Sequence, residues 1–128
     1  MSKRILIVDD DIDFLENMRI VISSAGYDVI TAENPSQARS RLESNTIDLM
    51  VLDVMMEKDS DGFNLAQSLK ADPQYQHIPI IMATAVNQKQ DAFTFGKDTD
   101  GAFLPAEKFL EKPITPDQLL TTIEELSN

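Results

Sequence analysis

The stretch ILIVDDD at residues 5–11 decides how the rest of the chain is interpreted. Residues 5–8 are apolar and mostly β-branched, and the run is too short for a buried helix, so it predicts a strand. Apolar side chains at consecutive positions are typical of a strand that is covered on both faces of its sheet. The run stops abruptly at Asp9, Asp10 and Asp11. The stretch therefore predicts a buried strand with carboxylates at its carboxyl end.

Strand and helix patterns alternate along the remainder of the chain. Apolar residues at helical spacing predict a first helix over 12–25, which Gly26 ends. Further strands are predicted at 27–31, 47–52, 78–83 and 109–111, and further helices from Asn34-Pro35, over 62–69, around 89–95 and from Thr115. Because parallel strands need crossovers and a helix is the usual crossover, this alternation predicts a parallel sheet. Right-handed crossovers place helices on both faces, so the predicted fold class is α/β, a doubly wound five-stranded parallel sheet.

Composition excludes several classes of function. The chain has 128 residues, which fits one domain over residues 1–128. Its 22 acidic and 11 basic residues give a net charge of -11, which disfavours direct binding to nucleic acid or to a membrane. The absence of cysteine excludes thiol chemistry, and the single histidine, His77, excludes a multi-histidine zinc site. No apolar run approaches the length of a membrane span, so we expect a cytoplasmic domain.

Polar residues end four of the five predicted strands. They are Asp9 and Asp10, Asp53, Thr84, and Lys112. The carboxyl ends of parallel strands share one edge, and ligands bind there where the strand order reverses. Converging carboxylates repel one another, and Mg2+ is a natural neutraliser because it prefers oxygen ligands. A hydroxyl and an ammonium group suit the remaining oxygens of a phosphoryl group, so the set predicts a site that holds or transfers phosphate on a carboxylate.

Each of these residues alone has a simpler interpretation. A run of aspartates before a helix is often an N-cap, and Asp53 alone fits the start of a loop. Thr84 alone fits a turn, and Lys112 alone fits a solvated lysine. Their coincidence at strand ends within one topology is what indicates a site. Asp11 and Asp13 are best interpreted as helix-capping or surface acids.

The chain resembles the receiver domain of two-component response regulators in its motifs and in their order. The matching pieces are ILIVDDD (5–11), DLMVLDVMM (48–56), IPIIMATA (78–85) and FLEKP (109–113). The resemblance implies a flavodoxin-like sheet of strand order 2-1-3-4-5. It also implies a signalling switch without a free small-molecule substrate, which is phosphorylated by a sensor histidine kinase or a phosphotransfer protein. Its output would pass to a downstream target protein or to an output domain outside this chain.

The resemblance assigns a role to each matching residue of the acidic edge. Asp53 would be the residue that is phosphorylated. Asp9, Asp10 and Asp53 would hold Mg2+, directly or through water. The backbone carbonyl of Met55 would be a further ligand of the cation.

The resemblance also implies a set of residues that respond to phosphorylation. Thr84 would be the switch hydroxyl that follows the phosphoryl group, and Lys112 would pair with that group. Pro113 would follow Lys112 through a cis peptide bond. Phe109 would be the switch aromatic, which rotates between outward and inward positions. Phosphorylation would then reshape the surface around these residues, because it adds negative charge to an acidic pocket.

Two departures from the family pattern affect the loops. Glu57 stands where the family usually has a proline, and Gly62 lies one residue further from Asp53 than the family's glycine. The segment between Thr84 and Lys112 is also several residues longer than usual, with the extra residues around 99–108. We therefore expect a non-standard partner surface.

Two alternative functions remain open at this point. A haloacid-dehalogenase-type phosphatase also begins with an apolar strand that enters a D-x-D motif, with Asp9 as the nucleophile. That family needs a second acidic pair after its lysine. The acids that follow Lys112 are Asp117, Glu124 and Glu125, which belong to the predicted last helix and do not supply that pair. A pseudo-receiver that only binds proteins is the other alternative, which the retained Asp53, Thr84 and Lys112 disfavour.

Overall fold

The computed structural model describes residues 3–53, 61–84, 106–111 and 114–127. Helices and strands alternate within these residues. In chain order they are β1 (Arg4–Val8), α1 (Ile12–Ser24), β2 (Asp28–Ala32), α2 (Pro35–Ser44), β3 (Leu49–Asp53), α3 (Asp61–Lys70), β4 (Ile80–Thr84), β5 (Lys108–Glu111) and α4 (Pro116–Ser127). The helix predicted around 89–95 lies outside the described residues.

The strands form one parallel sheet of order β2-β1-β3-β4-β5. Each strand pairs in parallel with its neighbours, and the register sets Val8 opposite Leu52 and Met82 opposite Phe109. The strand order reverses at β1, since β2 lies on one side of it and β3 on the other. The predicted fold class and strand order are confirmed.

Helices cover both faces of this sheet, as the doubly wound prediction requires. On one face the core contains Leu6 and Val8 of β1 together with residues of α2 and α3. On the other face it contains Ile5 and Ile7 of β1 together with residues of α1 and α4. Consecutive residues of β1 thus enter opposite cores, which explains why the strand is apolar at every position.

Local signals fix the ends of the helices. The side chain of Asp11 caps α1 by accepting from the backbone N–H of Phe14, and Asn34 caps α2 ahead of Pro35. Gly26 follows α1 with a φ of 101°, a conformation that favours glycine. Thr115 and Gln118 form a capping box at the start of α4, because each side chain bonds the other residue's backbone N–H.

β3 and β4 begin two residues later than the sequence pattern predicts. The backbone N–H of Ile78 donates to the carbonyl of Tyr75 at 3.0 Å, so Ile78 belongs to the preceding turn. Pro79 has no N–H to contribute to a strand. Among the described residues, no helix is both long and apolar enough to cross a lipid bilayer.

Candidate functional site

Three carboxylates meet at the carboxyl ends of β1 and β3. Asp9 and Asp10 follow β1, and Asp53 is the last residue of β3. The two strands are neighbours, so their ends lie side by side where the strand order reverses. Asp9, Asp10 and Asp53 each offer a carboxylate oxygen, and these oxygens lie within 4.8 Å of one another. The structure therefore brings together the acidic residues that the sequence placed at one edge.

Two of these carboxylates are buried and the third is exposed. Asp9 is 1% exposed and Asp53 is 7% exposed, whereas Asp10 faces solvent. Asp9 and Asp53 thus form the buried part of the site, and Asp10 forms its solvent-exposed side. Charges on the two buried carboxylates are poorly screened by water, so any cation or phosphoryl group held beside them interacts strongly with these side chains.

Asp9 is fixed by hydrogen bonds to its surroundings. Its backbone N–H donates to the carbonyl of Ala32 at 3.1 Å, and its Oδ1 accepts from the backbone N–H of Asp11 at 2.9 Å. Asp11 in turn caps α1. The run of aspartates predicted the cap, and the structure adds that Asp9 orders it. A hydrogen bond from an aspartate oxygen to the backbone N–H two residues later forms an Asx turn. The preference of aspartate for such turns was the sequence signal for this contact.

The donor set of the site suits a hard divalent cation. Three carboxylate oxygens within 4.8 Å of one another repel, and the two buried acids cannot be fully solvated. A small cation that prefers oxygen ligands and retains water molecules matches both the buried pair and the open side at Asp10. The chemistry of the residues thus fits the predicted Mg2+.

The remaining predicted site residues are placed less completely. Thr84 is the last residue of β4, and its neighbour Ala83 pairs with Asp53, so the backbone of Thr84 lies at the same edge. Phe109 lies in β5, half-buried against the core on the side of α2 and α3. Met55, Lys112 and Pro113 lie outside the described residues.

A surface pocket of about 320 Å³ lies at the opposite edge of the sheet. Its lining comes from residues 42–47 and from residues 74, 75, 77 and 78, which precede β3 and β4. His77 is exposed there, far along the strands from the carboxylates. The pocket is therefore separate from the acidic site.

A doubly wound parallel sheet with a cluster of carboxylates at its reversal point is the arrangement of a phosphoacceptor signalling domain. The family model described as "Response regulator receiver domain" matches residues 5–124. The chain therefore belongs to the response regulator receiver domain family, and a phosphoacceptor signalling role fits it. Neither the phosphatase nor the pseudo-receiver alternative is favoured.

Individual relatives agree with this assignment. The chain is 36% identical over 125 residues to "Probable transcriptional regulator ycf27" of Cyanophora paradoxa, which covers 98% of this chain and 48% of that protein. It is 33% identical over 124 residues to the phosphate regulon transcriptional regulatory protein PhoB of Pseudomonas aeruginosa, covering 97% of this chain and 51% of that protein. The chain thus spans about half the length of these relatives.

Solved structures show the same fold. The chemotaxis response regulator CheY4 of Vibrio cholerae superposes with a TM-score of 0.79 at 28% identity, covering 98% of this chain and 99% of that one. A CheY-like receiver domain protein from Methanospirillum hungatei gives a TM-score of 0.79 at 26% identity, covering 98% of this chain and 93% of that one.

Proposed function

We propose that this domain is a phosphorylation switch in which Asp53 accepts a phosphoryl group from a sensor histidine kinase or a phosphotransfer protein. The observation that carries the proposal is the cluster of Asp9, Asp10 and Asp53, whose oxygens lie within 4.8 Å of one another at the reversal point of the sheet. Family membership supports the same role.

In the proposed reaction a carboxylate oxygen of Asp53 forms a bond to phosphorus. The bond from phosphorus to the donor's imidazole nitrogen breaks, and the nitrogen keeps the electron pair. Asp53 is 7% exposed, so bulk water solvates its carboxylate only poorly before the transfer. The exposed side at Asp10 leaves an approach for the donor.

Asp9, Asp10 and Asp53 are proposed to hold Mg2+, with the carbonyl of Met55 as a further ligand. The cation would supply charge neutralisation for the oxygens of the transferring group. The buried position of Asp9 and its hydrogen bond from Asp11 orient one ligand before the cation arrives. Mg2+ binding and phosphorylation therefore use the same edge.

Thr84 is proposed to follow the phosphoryl group, and Lys112 to pair with it. The place of Thr84 at the end of β4, beside the end of β3, supports the first role. The motif FLEKP supports the role of Lys112, the cis bond before Pro113 and the switching of Phe109. We propose that these changes remodel a surface that a downstream target protein or an output domain recognises.

The wider setting of the domain is proposed on the same basis. Residues 1–128 would form one receiver domain that acts in the cytoplasm. It would catalyse only its own phosphorylation and dephosphorylation, and it would not act as an enzyme on a free substrate. The net charge of -11 argues against direct contact with nucleic acid or membrane.

Intact-mass measurement after incubation with acetyl phosphate and Mg2+ tests the proposal. We expect the wild-type chain to gain the mass of one phosphoryl group, and Asp53→Asn to gain none. Asp28→Asn is the matched control, because Asp28 is an exposed acid at the amino end of β2. Incorporation that survives Asp53→Asn, or a wild type that gains no mass, would contradict the proposal.

A further inference from the structure

The start of β5 is attached to β4 by a side chain as well as by the backbone. The backbone N–H of Glu107 donates to the carbonyl of Ile80 at 2.9 Å. The Oε1 of Glu107 accepts from the backbone N–H of Ile80 at 2.8 Å. Both backbone groups of Ile80, the first residue of β4, are therefore bonded to one residue that precedes β5.

The second carboxylate oxygen of Glu107 joins this pair to α3. The Nζ of Lys70, the last residue of α3, donates to Oε2 of Glu107 at 2.9 Å. The same Nζ donates to the carbonyls of Ile78 at 2.8 Å and Gln76 at 3.3 Å. An ammonium group has three donors, so these three acceptors satisfy it. We refer to Lys70, Glu107 and Ile80 as the β5 clamp.

The β5 clamp reinforces a strand that is short and only partly buried. The strand has 4 residues, and it forms an edge of the described sheet, paired with β4. Its end residues are exposed and its middle residues, Phe109 and Leu110, are only half-buried. Burial of one face specifies the register of a strand, and half-buried side chains supply less of this specification than fully buried ones would.

The register of β5 has a direct consequence for Phe109. In the observed register Phe109 packs against the core on the side of α2 and α3, and Leu110 packs against the opposite core. A slip of one residue would exchange these two faces. It would also displace whatever follows Glu111, and in the sequence the next residue is Lys112.

We propose that Lys70 and Glu107 are positioning residues, which set the register of β5 and thereby place Phe109 and Lys112 for phosphorylation at Asp53. The inference rests on the proposed function. The hydrogen bond between Glu107 and Ile80 contributes most to fixing the register. Ile80 is buried, and loss of the carboxylate removes the acceptor to which its backbone N–H donates. The ion pair is partly exposed and acts mainly by orienting Glu107.

The test compares phosphorylation rates from acetyl phosphate, measured by intact mass. Glu107→Ala removes the acceptor for the N–H of Ile80, and we expect it to slow phosphorylation by about tenfold, in line with other losses of positioning. Glu107→Gln keeps an acceptor, so we expect a slowing of about threefold or less. The reversed pair Lys70→Glu with Glu107→Lys restores an ion pair but no acceptor, so it should remain as slow as Glu107→Ala.

The control is the ion pair between Lys108 and Glu125, which also joins β5 to a helix at 3.6 Å and is also exposed. Glu125→Gln breaks that pair without affecting the clamp, and we expect an unchanged rate. A rescue by the reversed Lys70 and Glu107 pair would show that charge alone matters and would overturn the proposal. An unchanged rate in Glu107→Ala would overturn it as well.

A second measurement separates this inference from the proposed function. Nuclear Overhauser contacts between Met82 and Phe109, which are paired in the observed register, report the register without any phosphorylation. We expect them to weaken in Glu107→Ala, or, if Glu107→Ala does not fold, in Glu107→Met, which keeps the length of the side chain but has no oxygen to accept from Ile80. We expect them to persist in Glu125→Gln. Contacts that persist in the clamp variants would overturn the inference. A wild type with intact contacts but no phosphoryl gain would instead refute the proposed function.

Discussion

Repulsion among the clustered carboxylates predicts that neutralising Asp53 stabilises the fold in the absence of divalent cations. Asp9 and Asp53 are both buried, and their facing oxygens are at most 4.8 Å apart. With an effective dielectric constant of about 20, two unit charges at 4.8 Å repel by about 3.5 kcal/mol. An asparagine keeps one acceptor but loses the charge-assisted hydrogen bonds of a carboxylate, which offsets part of the gain. We expect Asp53→Asn to raise the free energy of unfolding by about 2 kcal/mol.

Mg2+ should remove this difference, because the cation binds the charged cluster of the wild type more tightly than the depleted cluster of the variant. At a concentration a hundred times its dissociation constant, a ligand that binds the native state stabilises it by about 2.7 kcal/mol. The wild type should show a gain of that size, and Asp53→Asn should show a clearly smaller one. When the cation is added, the free energy of unfolding of the wild type should therefore reach or exceed that of Asp53→Asn.

The assay is urea unfolding followed by circular dichroism, first with EDTA and then with Mg2+. Glu43→Gln serves as the control, since Glu43 is exposed at the opposite edge of the sheet and its replacement changes the net charge equally. That variant should match the wild type under both conditions. An Asp53→Asn variant that is less stable than the wild type in EDTA would contradict this prediction, and so would equal stabilisation of the two proteins by Mg2+.

Three further predictions concern the scaffold and its surface. Gly26→Ala should lower the free energy of unfolding by about 1–2 kcal/mol in a urea titration, because the positive φ disfavours a Cβ even though an added Cβ would meet no atom within 4 Å. Leu6→Ala should cost about 2–5 kcal/mol in the same assay, since Leu6 is fully buried in the core. A hydrogen bond from Arg19 holds the pKa of Glu16 below its ordinary value, so the pair contributes stability above that ordinary pKa and loses it as pH falls through the lowered one. Arg19→Gln should return the pKa of Glu16 toward its ordinary value in an NMR titration, and an unmoved titration would contradict the pairing.

Much of the fold was predictable because its signals are local. The consecutive apolar residues of β1 indicated a strand between two cores, and Gly26, Asn34 and Thr115 marked helix ends at the positions that the structure has. The predicted starts of the strands were less accurate, since the sequence pattern does not distinguish an apolar residue in a turn, such as Ile78, from one in a strand. Whether its N–H bonds a turn carbonyl depends on the chain around it.

The acidic site was predictable because parallel topology alone brings the ends of β1 and β3 together. Roles that depend on a specific long-range contact were not predictable. Glu107 precedes a short strand in a strongly acidic chain, where a glutamate usually indicates solvated surface. Only the tertiary structure shows that its carboxylate lies between Ile80 and Lys70.

The three adjacent aspartates after β1 have separate duties, so they differ in which replacements they tolerate. Asp9 is buried, accepts from the backbone N–H of Asp11 and contributes a carboxylate to the cluster, so both the size and the charge of its side chain matter. Asp10 is exposed, so its contribution is confined to charge and coordination. Asp11 caps α1, a duty that asparagine, serine or threonine also performs. Saturation mutagenesis should therefore give a different set of tolerated substitutions at each of the three aspartates, with Asp11 tolerating the most.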